Sequence, residues 1–246
     1  MTRVTFVPFP APSQVGPLRA IRAVLGWPVG LTVVSLQYLW RTTAIHRSEV
    51  EGNAADLPAD VPPELVDERS KLLPDGVGVM LRRHFSVVIR GSDLDPEALM
   101  ATLRDNPNQA APSHVAYFAK TRGADGPITV GDEYVVRMPG PWDGPVRVID
   151  QTATSFRFGT LQHHLEAGQI EFRCLRDGDR LRFEIETWAR AGDRLSHLFY
   201  SQLKFSKEIQ LNMWLHFCLG AAKVARGRTT GGVTIRTKVV PEALVA

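Results

Sequence analysis

"AGQIEFRCLRDGDRLRFEIETW", residues 167–188, decides the fold. In its second half Leu181, Phe183 and Ile185 alternate with Arg182, Glu184 and Glu186. A period of two with one apolar side is the pattern of a strand whose one face is buried and whose other face is wet. Asp177-Gly178-Asp179 separates this run from "AGQIEFRCL", and Asp-Gly between two such runs signals a hairpin. The stretch therefore predicts two antiparallel strands covered on one face.

The pattern extends upstream. From Ile128 to Trp188, "GDEYVVRM", "VRVID" and "SFRFGT" repeat it, with "PGPWDGP" as turn punctuation. Further back, "LRRHFSVVIRG" places Arg83, Phe85, Val87 and Ile89 on one side and His84, Ser86, Val88 and Arg90 on the other, which predicts another strand. "SDLDPEALMATLRD" then offers Asp95 as N-cap and Pro96 at the first helical position, so a short helix starts there.

Downstream, the chain runs about 33 residues from Asp193 without proline, with Asp193 as N-cap and Gly227 as the stop. Leu195, Leu198, Phe199, Gln202, Ile209, Met213, His216 and Phe217 fall near one stripe of such a helix. Around Trp214–Ala222 it is apolar nearly all round and needs a second cover, either the N-terminal apolar segment or the late strand "GGVTIRTKVV". Strand, helix, antiparallel strands and a long C-terminal helix make an α+β pattern. A curved sheet wrapped around that helix would enclose an apolar cavity with few polar groups, as ligand pockets are.

The chain has 246 residues, 44% hydrophobic and 22% charged, with a formal charge of +3. These are ordinary values for a globular protein with a sizeable core. No basic block interleaves with aromatics, which argues against nucleic-acid binding. Cys174 and Cys218 lie in apolar surroundings without a partner at zinc spacing and read as reduced core residues of a cytoplasmic protein. Dinucleotide, phosphate-loop and serine-elbow motifs are all missing, so no cofactor is expected. Residues 23–40, "AVLGWPVGLTVVSLQYLW", carry no charge, but Gly26, Pro28, Gly30, Ser35 and Gln37 dilute a spanning helix. They read as a packed or surface-docked segment, with peripheral membrane contact as the alternative. Residues 1–50 are thus an apolar extension, 51–76 a Pro- and Asp-rich linker, and 77–246 the main domain.

"FGTLQHHLEAGQIEF", then "ETWARAGD" and the long helix with Gln210, resemble the family known as domain of unknown function 1990. The likeness spans roughly Gly76 to Arg226, and His164-x-Glu166-x-Gly168 is among its most specific positions. The resemblance implies membership of the helix-grip superfamily of lipid-transfer-like and polyketide-cyclase-like proteins, and it implies a fold without an established activity. This chain departs from the family pattern at three places: His163 stands where glycine is favoured, Gln169 where glutamate is, and Ala191 where proline follows Ser-Arg.

Candidate site residues follow from the same stretches. On an extended chain His163 and His164 point to opposite sides, whereas His164 and Glu166 share a face. Two ligands without a third do not make a metal site. As an acid–base pair, Glu166 would fix the tautomer of His164 and raise its pKa. Trp188 and Arg190 share a face past the strand end and are expected at the same cavity mouth, as an aromatic wall and a cation. Gln202 and Gln210 interrupt an apolar helix side and are candidate ligand contacts. Glu184 and Glu186, beside Arg182, read as a solvated strand face. Three functions are consistent with this set: a binder of an apolar small molecule or lipid, a cyclase-, isomerase- or hydrolase-type enzyme using His164 and Glu166, and a membrane-surface interaction protein.

Overall fold

The computed structural model describes residues 44–112, 116–138, 143–192 and 205–245, and the side chains of the helix only from 211 onward. Its sheet comprises β1 (Ile45–Glu51), β2 (Val77–Arg90), β3 (Tyr117–Arg122), β4 (Glu133–Arg137), β5 (Asp143–Gln151), β6 (Ser155–Thr160), β7 (Glu166–Asp177), β8 (Arg180–Ala191) and β9 (Arg228–Val240). Across the sheet the order is β1-β9-β2-β8-β7-β6-β5-β4-β3. Every neighbouring pair is antiparallel except β1 with β9. Two α-helices, α1 (Pro96–Asp105) and α2 (Phe205–Val224), complete an α+β protein.

Local chemistry explains the elements the sequence predicted. The β7–β8 hairpin closes at Asp177 opposite Arg180, with Gly178 at φ +64° supplying the left-handed turn residue. In α1 the Asp95 carboxylate accepts from the Ala98 N–H at 2.7 Å, and Pro96 occupies the first turn.

The sheet is strongly curled. β8 and β3 are five strand spacings apart, roughly 24 Å on a flat sheet at about 4.8 Å per spacing. Yet Phe183 of β8 and Phe118 of β3 each lie with ring centroids 6.1 Å from Phe217 of α2. Only a sheet bent around the helix brings both to one ring. Phe156, Phe158 and Phe172 join the cluster from β6 and β7, and Trp214 from α2. Gly220 lets α2 seat closely, since a Cβ there would fall 2.0 Å from the carbonyl oxygen of Ala110.

The late strand "GGVTIRTKVV" forms most of β9, follows the helix and enters the sheet between β1 and β2, where its Val233 and Ile235 share the buried core with Phe217 and Ala221 of α2. Of the predicted 33-residue helix, residues 205–224 are helical, and 193–204 lie outside the described residues. Residues 51–76, expected as a linker, pack on the outer face of the sheet. There Asp56 pairs with Arg82 at 2.5 Å and Lys238 at 2.7 Å, and Arg147 pairs with Asp67 at 2.7 Å and Glu133 at 2.8 Å. Arg69 also reaches Glu133 at 2.6 Å. β1 carries the ordered chain back across the expected boundary at residue 50. The apolar segment 23–40 lies outside the described residues.

The outer face of β8 is likewise not solvated. Glu184 and Glu186 are 4% and 2% exposed, and Arg173 reaches them at 2.6 and 3.2 Å. Arg82 joins Glu186 at 2.6 Å, so the buried carboxylates are charge-paired across strands.

Candidate functional site

The β6–β7 turn holds the first candidates. Leu161 N–H donates to the Pro145 carbonyl at 3.0 Å, and His164 N–H closes the turn onto Leu161 at 3.1 Å. His163 is exposed and takes φ +71°, a left-handed conformation unusual for a residue with a Cβ. Glycine adopts it without that cost.

His164 turns inward. Its Nδ1 accepts the Glu166 backbone N–H at 2.9 Å, the shorter of its two contacts with that residue, the Glu166 carbonyl oxygen lying 3.2 Å away. An amide N–H can only donate, so the neutral ring carries its proton on Nε2. Nε2 lies 3.0 Å from where a Cβ on Gly144 would stand, so glycine at the start of β5 makes room for the ring. The imidazole pKa is lowered to about 4, first by burial and then by the ammonium of Lys71. Lys71 comes from the docked outer segment and donates to the His164 carbonyl at 2.6 Å. His164 is therefore neutral at pH 7. Glu166, the first residue of β7, is 8% exposed, and its carboxylate makes no hydrogen bond to the His164 ring. The backbone rather than a carboxylate sets the tautomer, and the pKa moves down instead of up.

Around these two groups the concave face is apolar. Phe118, Phe158, Ile170, Ala189, Met213 and Trp214 line the same small cavity, with Thr160, Gln169 and Thr187 as further polar members. Its volume is about 50 Å³, because the aromatic cluster fills most of the space between sheet and helix. That is well under the roughly 300–1,000 Å³ of drug-sized sites.

Trp188 and Arg190 are not at this cavity. In β8 the odd positions Phe183, Ile185 and Ala189 face α2, so the even positions face outward. Trp188 is 6% exposed and packs with Met80, Val240 and Val245 on the outer side. Arg190, with a side chain 2% exposed, donates to the carbonyls of Gly78 (2.8 Å) and Leu73 (3.1 Å) and to Glu242 (2.6 Å). It ties three outer segments together. Gln202 and the side chain of Gln210 lie outside the described residues. Among the described residues no group of three or more His, Cys, Asp or Glu could hold a metal, and no helix is long and apolar enough to cross a membrane. Sequence reading missed Lys71, which sits over ninety residues from His164; Thr160, Thr187 and Ala189 were legible from the alternation alone.

Fold and site define an α+β protein whose curled antiparallel sheet holds a helix and presents a half-buried neutral histidine. A family model, "Domain of unknown function (DUF1990)", matches residues 111–238, more than half of the chain, and the protein belongs to that family. Curated proteins give no match. Solved structures similar to this chain include norcoclaurine synthase from Thalictrum flavum, at 12% identity and TM-score 0.46, covering 61% of this chain and 88% of that one. The KanY protein aligns at 13% identity and TM-score 0.44, over 62% of this chain and 99% of that chain. The di-domain ARO/CYC StfQ of the steffimycin biosynthetic pathway aligns at 8% identity and TM-score 0.46, over 60% of this chain and 51% of that chain.

Proposed function

We propose that the protein is a helix-grip binder of an apolar small molecule that carries a hydrogen-bond acceptor, such as a carbonyl, with His164 Nε2–H as the donor. The observation that carries this reading is a neutral imidazole with a fixed tautomer and no hydrogen-bond partner on Nε2 among the described residues, set in a largely apolar wall. A few well-placed polar groups in an apolar site supply orientation, and the wall supplies affinity. The free space admits the acceptor end of such a molecule. Met138 and Met213, with unbranched side chains that repack readily, swing to admit the rest.

A cyclase-, isomerase- or hydrolase-type enzyme using His164 and Glu166 would need an imidazole that exchanges protons near neutrality. A pKa of about 4 and the absent side-chain bond between the two residues favour binding. Native mass spectrometry of the full chain purified from its own host tests the proposal. Wild-type protein should retain a small molecule that His164→Phe binds about tenfold more weakly. Equal retention by His164→Phe, or an empty wild-type protein whose melting temperature no apolar extract shifts, refutes it. Peripheral membrane contact through residues 23–40 belongs to the same proposal. Recovery of the full chain wholly outside the membrane pellet removes it.

A further inference from the structure

A second, larger space lies on the other face of the sheet. A cavity of about 680 Å³ separates residues 57–74 from β5, β6 and β7. That volume falls within the roughly 300–1,000 Å³ typical of small-molecule sites. Leu57, Val61, Leu65, Leu73, Ile149 and Leu161 form its apolar walls.

One polar group in this wall is unanswered. Gln169, 7% exposed, points outward from β7 and donates from Nε2 to the Ala59 carbonyl at 3.1 Å. That bond fixes which end of the amide is which. The remaining end, Oε1, is buried without a hydrogen-bond partner. Its cross-strand neighbour Trp188 packs behind the wall against Leu57 and Leu73, and the indole Nε1–H is also buried and unpartnered. Buried polar groups are nearly always satisfied, so an orphan acceptor in the wall of a large cavity marks where a donor belongs.

The cations in this wall already hold acceptors, and Asp60 adds a negative charge to the lining. Lys71 is bonded to the His164 carbonyl, and Arg147 to the Leu65 carbonyl, Asp67 and Glu133. With both cations engaged, the chemistry left open is neutral: an apolar body to fill the walls and one O–H to meet Gln169. We propose that this outer cavity is a second binding site, separated from His164 by the thickness of the sheet, for a neutral, drug-sized apolar molecule bearing a hydroxyl group. The hydroxyl donates to Gln169 Oε1.

Decan-1-ol and its methyl ether differ by that donor alone, and titration calorimetry on the full chain compares them. The wild-type protein should bind the alcohol about tenfold more tightly than the ether. Gln169→Leu should erase the difference. Val61→Trp, which fills the cavity from the outer segment, should weaken both at least about tenfold. Circular dichroism checks that each variant folds, and the alcohol–ether comparison on wild-type protein needs no variant. Equal affinity for the two probes overturns the proposal. So does unsaturable binding, the result for a cavity that holds water only, and so does a folded Val61→Trp that binds the alcohol as wild type does.

Discussion

Removing the Phe172 ring tests whether the grip is a packed core. Phe172 is fully buried, stacked on Phe156 at 4.9 Å and tilted against Phe217 at 5.0 Å. Trp214, Phe158 and Phe118 complete its surroundings at 5.6, 6.2 and 6.5 Å. A core Phe→Ala change costs about 3–5 kcal/mol, and well-placed ring pairs add about 0.5–1.5 kcal/mol beyond area burial. Held on all sides by rings from separate elements, the Phe172 site collapses poorly, which puts Phe172→Ala at about 4–5 kcal/mol. A domain has about 5–15 kcal/mol in all. Phe183 is equally buried, but among the described residues Phe217 is the one ring stacked on it, so Phe183→Ala should cost about 1 kcal/mol less. Urea unfolding of both variants with an unchanged slope gives the two values. The new void should also take up benzene and regain part of the lost melting temperature. A Phe172→Ala loss below about 2 kcal/mol, or no greater than that of Phe183→Ala, would refute the packed-cluster reasoning.

Other outcomes follow from single residues. Unfolded His164 binds its proton near pH 6.5 and the folded one only near pH 4, so the unfolded chain holds more protons between them. Stability should be full above pH 6.5 and fall towards pH 4, and urea midpoints across that range should flatten in His164→Phe. Asp56 is held at about 2, chiefly by the hydrogen bond from Lys238, with burial opposing it. Its contribution is present above about pH 4 and lost as pH falls through 2, so hydrogen exchange near Asn53 should rise only there. His163→Gly relieves the φ of +71° and should stabilise by up to about 1 kcal/mol in thermal melts. Arg190→Met strands the carbonyls of Leu73 and Gly78 and should cost about 2–4 kcal/mol, with faster proteolysis at residues 72–78.

Strand alternation carried the sheet into view. β2, β7, β8 and α1 were legible because period, turn and cap signals are local. Trp188 and Arg190 were legible too, in principle: Leu181, Phe183 and Ile185 fix odd positions of β8 as inward, and parity then sends 188 and 190 outward. Proximity to His164 along the strand overrode parity in the sequence reading. Residues 51–76 could not be read locally. Their composition is that of a linker, and the groups that hold them, Arg82, Lys238, Glu133 and Arg147, are remote in the chain. The burial of Glu184 and Glu186 escaped for the same reason, since a charged face looks solvated until its cross-strand partners are known. The tautomer of His164 depends on one backbone hydrogen bond that no residue pattern encodes.

The place of β9 bears on how the chain assembles. Ile45 pairs with Val233, and β9 fills the slot between β1 and β2, so the first and last strands of the sheet meet side by side. Closing a loop of about three quarters of the chain is entropically slow, and mixed or β-rich domains with such long-range pairing fold over milliseconds to seconds. During synthesis β2 is made long before its partner and must wait with one edge open. An unpaired edge carrying Phe85, Val87 and Ile89 is a template for wrong pairing. A ribosome that stops within residues 228–240 therefore leaves more than a shortened strand: it releases a chain prone to aggregate, and its fate falls to chaperones and proteases.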